Sequence, residues 1–157
     1  MKTKLIIITL CTIVALHACK DEYNICSEPK TVKFVASIFQ KNGTADVLTT
    51  VPTFSLVNQA GNVLIYNNES NINTFSISLN NLLDSARYIV TLSSSLPKDT
   101  ITIIYSTSGT TNTSLDCGPL FNHNIIRLRT TLNTVDSIVN FNPTINNSLS
   151  LNAKIYF

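Results

Sequence analysis

Cysteine, histidine and aspartate are the residue types in this sequence whose spacing could support chemistry. Cys26 and Cys117 are left for pairing if Cys11 lies in a cleaved leader and Cys19 carries a modification. In an exported protein such a pair is expected to be oxidised. A bridge between them would close a loop of about 90 residues and contribute about 4–5 kcal/mol in the chain-entropy model. We therefore predict a Cys26–Cys117 disulfide.

A metal site built from Cys26, Cys117, His123 and Asp116 is the alternative to the bridge. Zinc sites usually draw their ligands from closely spaced pairs, and this set contains no such pair. We therefore expect no metal and no other cofactor. Calcium stays open, because Asp99 and the Asn-rich loops supply oxygen ligands, although such residues also occur in turns for backbone reasons.

No combination of nucleophile, base and orienting group marks an active site. His123 stands between two asparagines, and a hydrolase would also need a nucleophile and an orienting partner. No serine lies in a Gly-x-Ser-x-Gly elbow, and the four glycines form no phosphate-binding loop. The nine acidic residues are spread along the chain without a marked pair. The sequence predicts a protein that is not an enzyme.

The first residues have the features of a secretory signal. Lys2 and Lys4 precede a mostly apolar run, residues 5–16, which is shorter than the roughly 20 residues that span a bilayer. Leu16-His17-Ala18-Cys19 resembles a bacterial lipobox, although a histidine stands where a small residue is usual. We expect residues 1–18 to be a cleaved signal peptide and Cys19 to carry lipid. The alternative is an ordinary signal peptide whose removal leaves a free thiol.

A short lipidated tether, residues 19–29, is expected to follow. Lys20-Asp21-Glu22 resembles the export signal that brings lipoproteins of Bacteroidota-type bacteria to the cell surface. A lipid would hold the protein at the outer membrane, because each buried methylene contributes about 0.8 kcal/mol. We expect display on the cell surface, with the periplasmic face as the alternative.

The leader holds two of the eleven basic residues and none of the acidic ones, so the rest of the chain has no net charge. Without an excess of basic residues, we expect it not to bind nucleic acid.

Alternating apolar and polar residues fill the remaining domain, residues 30–157, and no run has a helical period. About nine short strands predict an all-β antiparallel sandwich. Leu83 to Tyr88 resembles the tyrosine corner of immunoglobulin-type domains, so an Ig-like sandwich is one form and a plain turn is the alternative. Arg127, Arg129, Asn152 and Lys154 are expected to face water. The positions expected to face the core include Val32, Phe34, Ala36, Ile38, Phe75, Ile77, Leu79, Tyr88, Val90, Leu92, Ile101, Ile103, Tyr105, Ile126, Leu128, Leu149, Leu151, Ala153, Ile155 and Phe157.

Three tripeptides share an aspartate, a hydroxyl residue and a small or apolar residue: Asp84-Ser85-Ala86, Asp99-Thr100-Ile101 and Asp136-Ser137-Ile138. They resemble the acceptor of periplasmic O-glycosylation in Bacteroidota-type bacteria, which makes Ser85, Thr100 and Ser137 candidate glycosylation sites. The alternative is turn chemistry, because an aspartate before a strand can cap the turn with its side chain.

Five segments in order carry a wider resemblance: Tyr23-Asn24-Ile25-Cys26, residues 99–105, Asp116-Cys117-Gly118, residues 134–138 and residues 152–157. Through them the chain resembles a family of small lipoproteins of Bacteroidota-type bacteria that is classed as a domain of unknown function. The resemblance covers essentially the whole chain after the leader. Because that family has no established activity, the resemblance implies localisation and architecture and transfers no catalytic residue.

These observations together predict a lipid-anchored, non-enzymatic β-sandwich that acts as an interaction or accessory module for a protein or glycan partner. The rival hypothesis is a cell-surface glycan-binding module, since such bacteria display sugar-binding lipoproteins on β-sandwich scaffolds. Sugar-binding platforms usually expose tryptophan or clustered tyrosine, whereas this chain has no tryptophan and five tyrosines that lie mostly within apolar strands. A cleft lined by two exposed tyrosines would favour the glycan hypothesis.

Overall fold

Two β-sheets face each other across one apolar core in the computed structural model, which describes residues 32–112 and 118–157. All of the regular secondary structure in these ranges is strand, so the predicted all-β sandwich is confirmed. The strands are β1 (Lys33–Asn42), β2 (Ala45–Leu48), β3 (Phe54–Asn58), β4 (Val63–Glu69), β5 (Thr74–Ser78), β6 (Ser85–Thr91), β7 (Asp99–Asn112), β8 (Pro119–Thr130), β9 (Ser137–Asn140), β10 (Thr144–Ile145) and β11 (Ala153–Tyr156).

The first sheet is organised around β1. Its strand order is β2-β1-β11-β9, and β5 pairs with β1 as well. The first half of β1 pairs with β5 and the second half with β2, both antiparallel, while β11 lies along the other side. The β1–β11 pair is parallel, with Ala36 opposite Ala153, whereas the other pairs in both described sheets are antiparallel.

The second sheet has the order β10-β8-β7-β6-β3-β4. Ile104 pairs with Arg127 but Tyr105 pairs with Ile125, so Ile126 is an extra residue in a β-bulge. A bulge shifts the period-two alternation by one residue. As a result Ile125 is 3% exposed and Ile126 is 62% exposed. The prediction that Ile126 faces the core was therefore wrong, whereas Arg127 faces solvent as predicted.

The core comes from the facing sides of the two sheets. Phe34, Ala36 and Ile38 of β1 are buried as their spacing predicted. Val35 and Ser37 between them are buried as well, so the middle of this strand is covered on both faces. Aromatic rings join the sheets, since Phe54 of β3 and Phe75 of β5 lie 4.9 Å apart between centroids. Burying such side chains contributes about 1.5–3 kcal/mol each, which makes this layer the main source of stability.

The end of the chain departs from its predicted pattern. The last strand begins at Ala153, and Leu149 is 49% exposed with a φ of 53°. Asn152, expected outside, is 1% exposed. Its side-chain oxygen accepts from the Val35 backbone at 3.0 Å and its amide nitrogen donates to the Thr144 carbonyl at 2.9 Å. Asn152 is buried because it satisfies backbone groups of separate segments that have no water to bond with.

Several predictions fall outside the described residues. These are the signal peptide 1–18, the tether 19–29, the lipidation of Cys19, the export signal of Lys20, Asp21 and Glu22, and the Cys26–Cys117 bridge; all of them stay predictions. Within the ranges that are described, no helix is long and apolar enough to cross a membrane.

Candidate binding cleft

His123, the histidine considered as a metal ligand, is packed into the second sheet. It is 2% exposed, and its ring contacts the Tyr105 ring edge-on, with 5.2 Å between centroids. Burial lowers the pKa of the His123 imidazole, and its Nδ1 atom has no hydrogen-bond partner. No group of three histidine, cysteine, aspartate or glutamate residues lies together in the described part of the chain. This imidazole is a buried packing residue.

Asp99, at the start of β7, anchors the loop between β8 and β9. Its carboxylate accepts hydrogen bonds from the Thr131 hydroxyl and from the backbone N–H groups of Asn133, Thr134 and Val135, at 2.8–2.9 Å. Burial disfavours the charged form, but these donors together lower the pKa of Asp99 below its ordinary value. The Asp99 carboxylate therefore holds a loop that is distant in sequence, whereas the turn-chemistry alternative predicted that it would cap the turn before its own strand.

The three candidate glycosylation residues lie in different surroundings. Ser85 and Ser137 are exposed and begin β6 and β9. Thr100 is half-buried within β7, between the neighbouring strands of the second sheet. An added glycan is bulky and must sit on the surface, so Ser85 and Ser137 offer it more room than Thr100 does.

A cleft of about 500 Å³ opens between the β3–β4 turn and the connection from β5 to β6. Side chains from β6 and β7 form part of its wall, with Tyr88 and Tyr105 among them. These two tyrosines are 2% and 0% exposed. The cleft therefore lacks the two exposed aromatic faces that would favour stacking against a sugar ring.

Two asparagines at the cleft have their side-chain orientations fixed by backbone donors. The Asn58 Oδ1 atom accepts from the Ala60 N–H at 3.0 Å, and the Asn80 Oδ1 atom accepts from the Leu82 N–H at 2.9 Å. An amide whose oxygen is engaged in this way keeps its nitrogen as a donor. The cleft is therefore lined in part by asparagines whose side chains are held by their own turns.

Arg87 is the one charged residue among the described residues that line the cleft. Burial raises the pKa of Tyr88 to about 12 and also raises the pKa of Tyr105, so both hydroxyls stay protonated well above neutral pH. The Tyr105 hydroxyl donates to the Asn80 carbonyl at 2.9 Å, which fixes the connection that forms one rim. This bond comes from a different tyrosine and spans 25 residues, so it is not the local tyrosine-corner bond that the sequence suggested for Tyr88.

A second polar cluster lies on the outer face of the first sheet. The Asp46 carboxylate accepts from Lys41, from Lys154 at 2.9 Å and from the Tyr156 hydroxyl at 2.9 Å. These partners, Lys41 first, hold the pKa of Asp46 well below its usual range. The Lys154 ammonium also lies 4.8 Å from the centre of the exposed Phe141 ring. The cluster ties the edge strand β2 to β11, and its charged groups satisfy one another.

The sequence alone did not indicate the cleft. Asn58, Asn80 and Arg87 come from three separate segments, and each belongs to an ordinary turn or strand pattern. Only the pairing of β3 with β6, which sets Asn58 opposite Tyr88, brings these segments together.

Fold and cleft together define an all-β sandwich domain with a cleft of mixed polar and apolar lining. The chain belongs to the Family of unknown function (DUF6452), whose family model matches residues 49–157. No curated protein and no solved structure matches the chain. The family match confirms the membership in a family of unknown function that segments 99–105, 134–138 and 152–157 predicted.

Proposed function

We propose that this protein is a lipid-anchored, non-enzymatic lipoprotein of the outer membrane that acts as an interaction or accessory module. The observation that carries the proposal is Leu16-His17-Ala18-Cys19 at the end of an apolar leader. The resemblance to lipoproteins of Bacteroidota-type bacteria supports the same location.

Replacing the proposed lipid-bearing cysteine tests the anchor. Cys19→Ala should abolish incorporation of labelled palmitate and release the protein from the membrane fraction, because no thiol remains for lipid attachment. Cys11→Ala, a change within the leader, should leave both unchanged and is the matched control. A Cys19→Ala protein that still takes up palmitate and sediments with membranes would contradict the proposal.

Surface display is the second part of the proposal and rests on Lys20-Asp21-Glu22. Protease added to intact cells should digest the wild-type protein and should spare a variant in which these three residues are alanine. Equal protection of both proteins would indicate the periplasmic face instead. Lysed cells, in which both should be digested, control for intrinsic resistance.

A cell-surface glycan-binding module is the alternative function. The observation in its favour is the cleft, whose asparagine and serine side chains match the hydroxyl groups of a sugar. The burial of Tyr88 and Tyr105 counts against it, because stacking on a sugar ring needs an exposed aromatic face. Binding to an array of neutral glycans would support this alternative, and no binding at millimolar sugar would exclude it.

O-glycosylation is proposed at the exposed candidates Ser85 and Ser137, with Thr100 the least accessible of the three. Ser85 also lines the cleft, so a glycan there would occupy it. The intact mass of protein from its native host, compared with that of Ser137→Ala and Ser85→Ala variants, tests each site.

A further inference from the structure

We propose that the outward face of the second sheet docks the domain onto an anionic lipid surface. This surface, the arginine face, consists of Arg87 on β6 and of Ile126, Arg127 and Arg129 on β8. The inference rests on the proposed membrane location. It adds to that location which side of the domain meets the membrane and which lipid charge this side prefers.

The arginine face gathers every arginine of the chain. The sequence contains three, and each is exposed on one of the two strands that flank β7. Arg87 and Arg129 pair with the same residue, Thr102, from its two sides. Neighbouring strands lie about 4.8 Å apart, so the Cα atoms of these two arginines are about 10 Å apart. Arg127 is two residues along β8 from Arg129, which adds a third cation at a distance of about 7 Å.

This face points away from the core. Residues that lie directly opposite one another in adjacent strands project on the same side of a sheet, so Arg87, Thr102 and Arg129 share one side. Ile101 and Ile103, on either side of Thr102 in β7, are 2% and 0% exposed and belong to the core. The arginines therefore project from the solvent side of the second sheet.

No exposed acidic side chain balances these charges on the three described strands. Asp99 is the one acidic residue in β6, β7 and β8, and it is 1% exposed and bonded to the β8–β9 loop. The ion pairs among the described residues both use Asp46, on the first sheet. Burial and, to a lesser extent, the charge of Asp84 raise the pKa of Tyr105, so Asp84 acts on a core residue. The arginine face therefore carries a local positive potential, although the chain after its proposed leader has no net charge.

The bulge in β8 adds an apolar side chain to this positive surface. Ile126 is the extra residue of the bulge, is 62% exposed and immediately precedes Arg127. Surfaces that lie in the membrane interface combine these features, because the apolar group enters the headgroup region while the cations meet lipid phosphates. A free anion such as phosphate would match the arginines but would leave Ile126 uncovered. The combination therefore favours an anionic lipid surface.

A tryptophan introduced by Ile126→Trp tests the inference, because the natural chain has no tryptophan. The full chain with this change is purified in detergent and reconstituted into vesicles whose brominated acyl chains quench tryptophan on contact. The vesicles consist of anionic phosphatidylglycerol or of phosphatidylcholine, which has no net charge. We expect quenching in the anionic vesicles and at least about fivefold weaker quenching in the neutral ones, because each basic residue near an anionic surface favours association by about that factor. Val63→Trp, at an exposed residue of β4, is the matched control and should stay unquenched in both.

Charge variants of the Ile126→Trp chain test the arginines. Arg87→Gln together with Arg129→Gln should lower quenching in anionic vesicles by at least about tenfold, and the corresponding double change to lysine, which keeps both charges, should retain it. Lys33→Gln, on the first sheet, removes a charge elsewhere and should have no effect. Salt at 1 M should act like the glutamine changes, because the Debye length falls from about 10 Å at 0.1 M to about 3 Å.

The inference is overturned if the introduced tryptophan is quenched equally in both kinds of vesicle, if it is quenched in neither, or if the double glutamine variant is quenched like its parent. Arginine-dependent binding of inorganic phosphate without quenching in anionic vesicles would assign the face to a free anion and would overturn it as well. Sedimentation with neutral vesicles reports the proposed anchor alone, because an uncharged surface does not attract the arginines. A chain that sediments with neutral vesicles but is unquenched in anionic ones keeps the anchor and loses the docking face, so the two failures are distinguishable.

Discussion

Asp99 and Asn152 are polar side chains that the fold buries almost completely, at 1% exposure each. Each bonds to backbone groups far away in sequence, such as the Val135 N–H for Asp99 and the Val35 N–H for Asn152. Buried backbone groups without partners cost about 1–3 kcal/mol apiece, so one well-placed polar side chain can offset several such losses. Sequence patterns that sort residues by polarity place both of them at the surface.

Asp99→Asn should lower the free energy of unfolding by about 2–4 kcal/mol, because an amide nitrogen would face backbone N–H donors that need an acceptor. Urea denaturation followed by circular dichroism measures the change. Asp136→Asn, at an exposed aspartate of a similar tripeptide, should change stability by less than about 0.5 kcal/mol. Equal stability of the two variants would show that the hydrogen bonds to the Asp99 carboxylate do not stabilise the fold.

His123 predicts a pH dependence near neutrality. Its pKa is lowered from the ordinary value of 6.5 by burial. The unfolded chain therefore binds a proton at a higher pH than the folded chain, and the free energy of unfolding falls as pH drops below about 6.5 and levels off below the folded pKa. His123→Gln should remove this slope in denaturation measured between pH 7 and pH 5. An unchanged slope in the variant would assign the dependence to another group.

At the scale of elements, alternation predicted the strands that keep a regular register, both at the edge of a sheet and in its middle. Phe75 with Ile77 and Ile101 with Ile103 are buried as predicted, because a strand with one face on the core must alternate. The prediction was wrong at Ile126, because a bulge depends on the partner strand and leaves no mark in the local pattern.

The sequence did not predict the cleft, for a related reason. The alternation of polar and apolar residues indicates which face of a strand a side chain lies on. A cleft depends instead on which strands pair with one another. The β3–β6 pair joins residues that are about thirty positions apart, with Leu56 opposite Val90, and nothing in either segment specifies the other. Only the turn oxygens of Asn58 and Asn80, typical of Asx turns, had a local signature.

The edge strand β5 provides a test at this scale. The Tyr66 hydroxyl donates to the Ser76 carbonyl at 3.2 Å and accepts from the Ser76 N–H at 3.0 Å, on the side of β5 that faces away from β1. Tyr66→Phe should expose these groups, lower stability by about 1–2 kcal/mol and accelerate hydrogen exchange at Ser76. Tyr156→Phe, which loses a hydroxyl bond to Asp46 instead, should leave exchange at Ser76 unchanged. Slow exchange at Ser76 in the Tyr66 variant would contradict this account.

At the scale of the whole molecule, the sandwich carries its cleft beside the connection that joins β5 of the first sheet to β6 of the second. Val32 is buried, and Lys33 begins β1, the strand around which the first sheet is organised. Ser78, at the end of β5, lies opposite Lys33 and also lines the cleft. The start of β1 therefore lies close to the cleft.

Mass spectrometry of the N-terminal peptide tests the central claim most directly. Protein isolated from the membranes of its native host should yield a peptide that begins at Cys19, lacks residues 1–18 and carries the mass of a lipid on that cysteine. Treatment that hydrolyses ester-linked acyl chains should lower this mass by whole fatty acids. An N-terminal peptide that begins at an unmodified Cys19, or one that retains the apolar leader, would contradict the account.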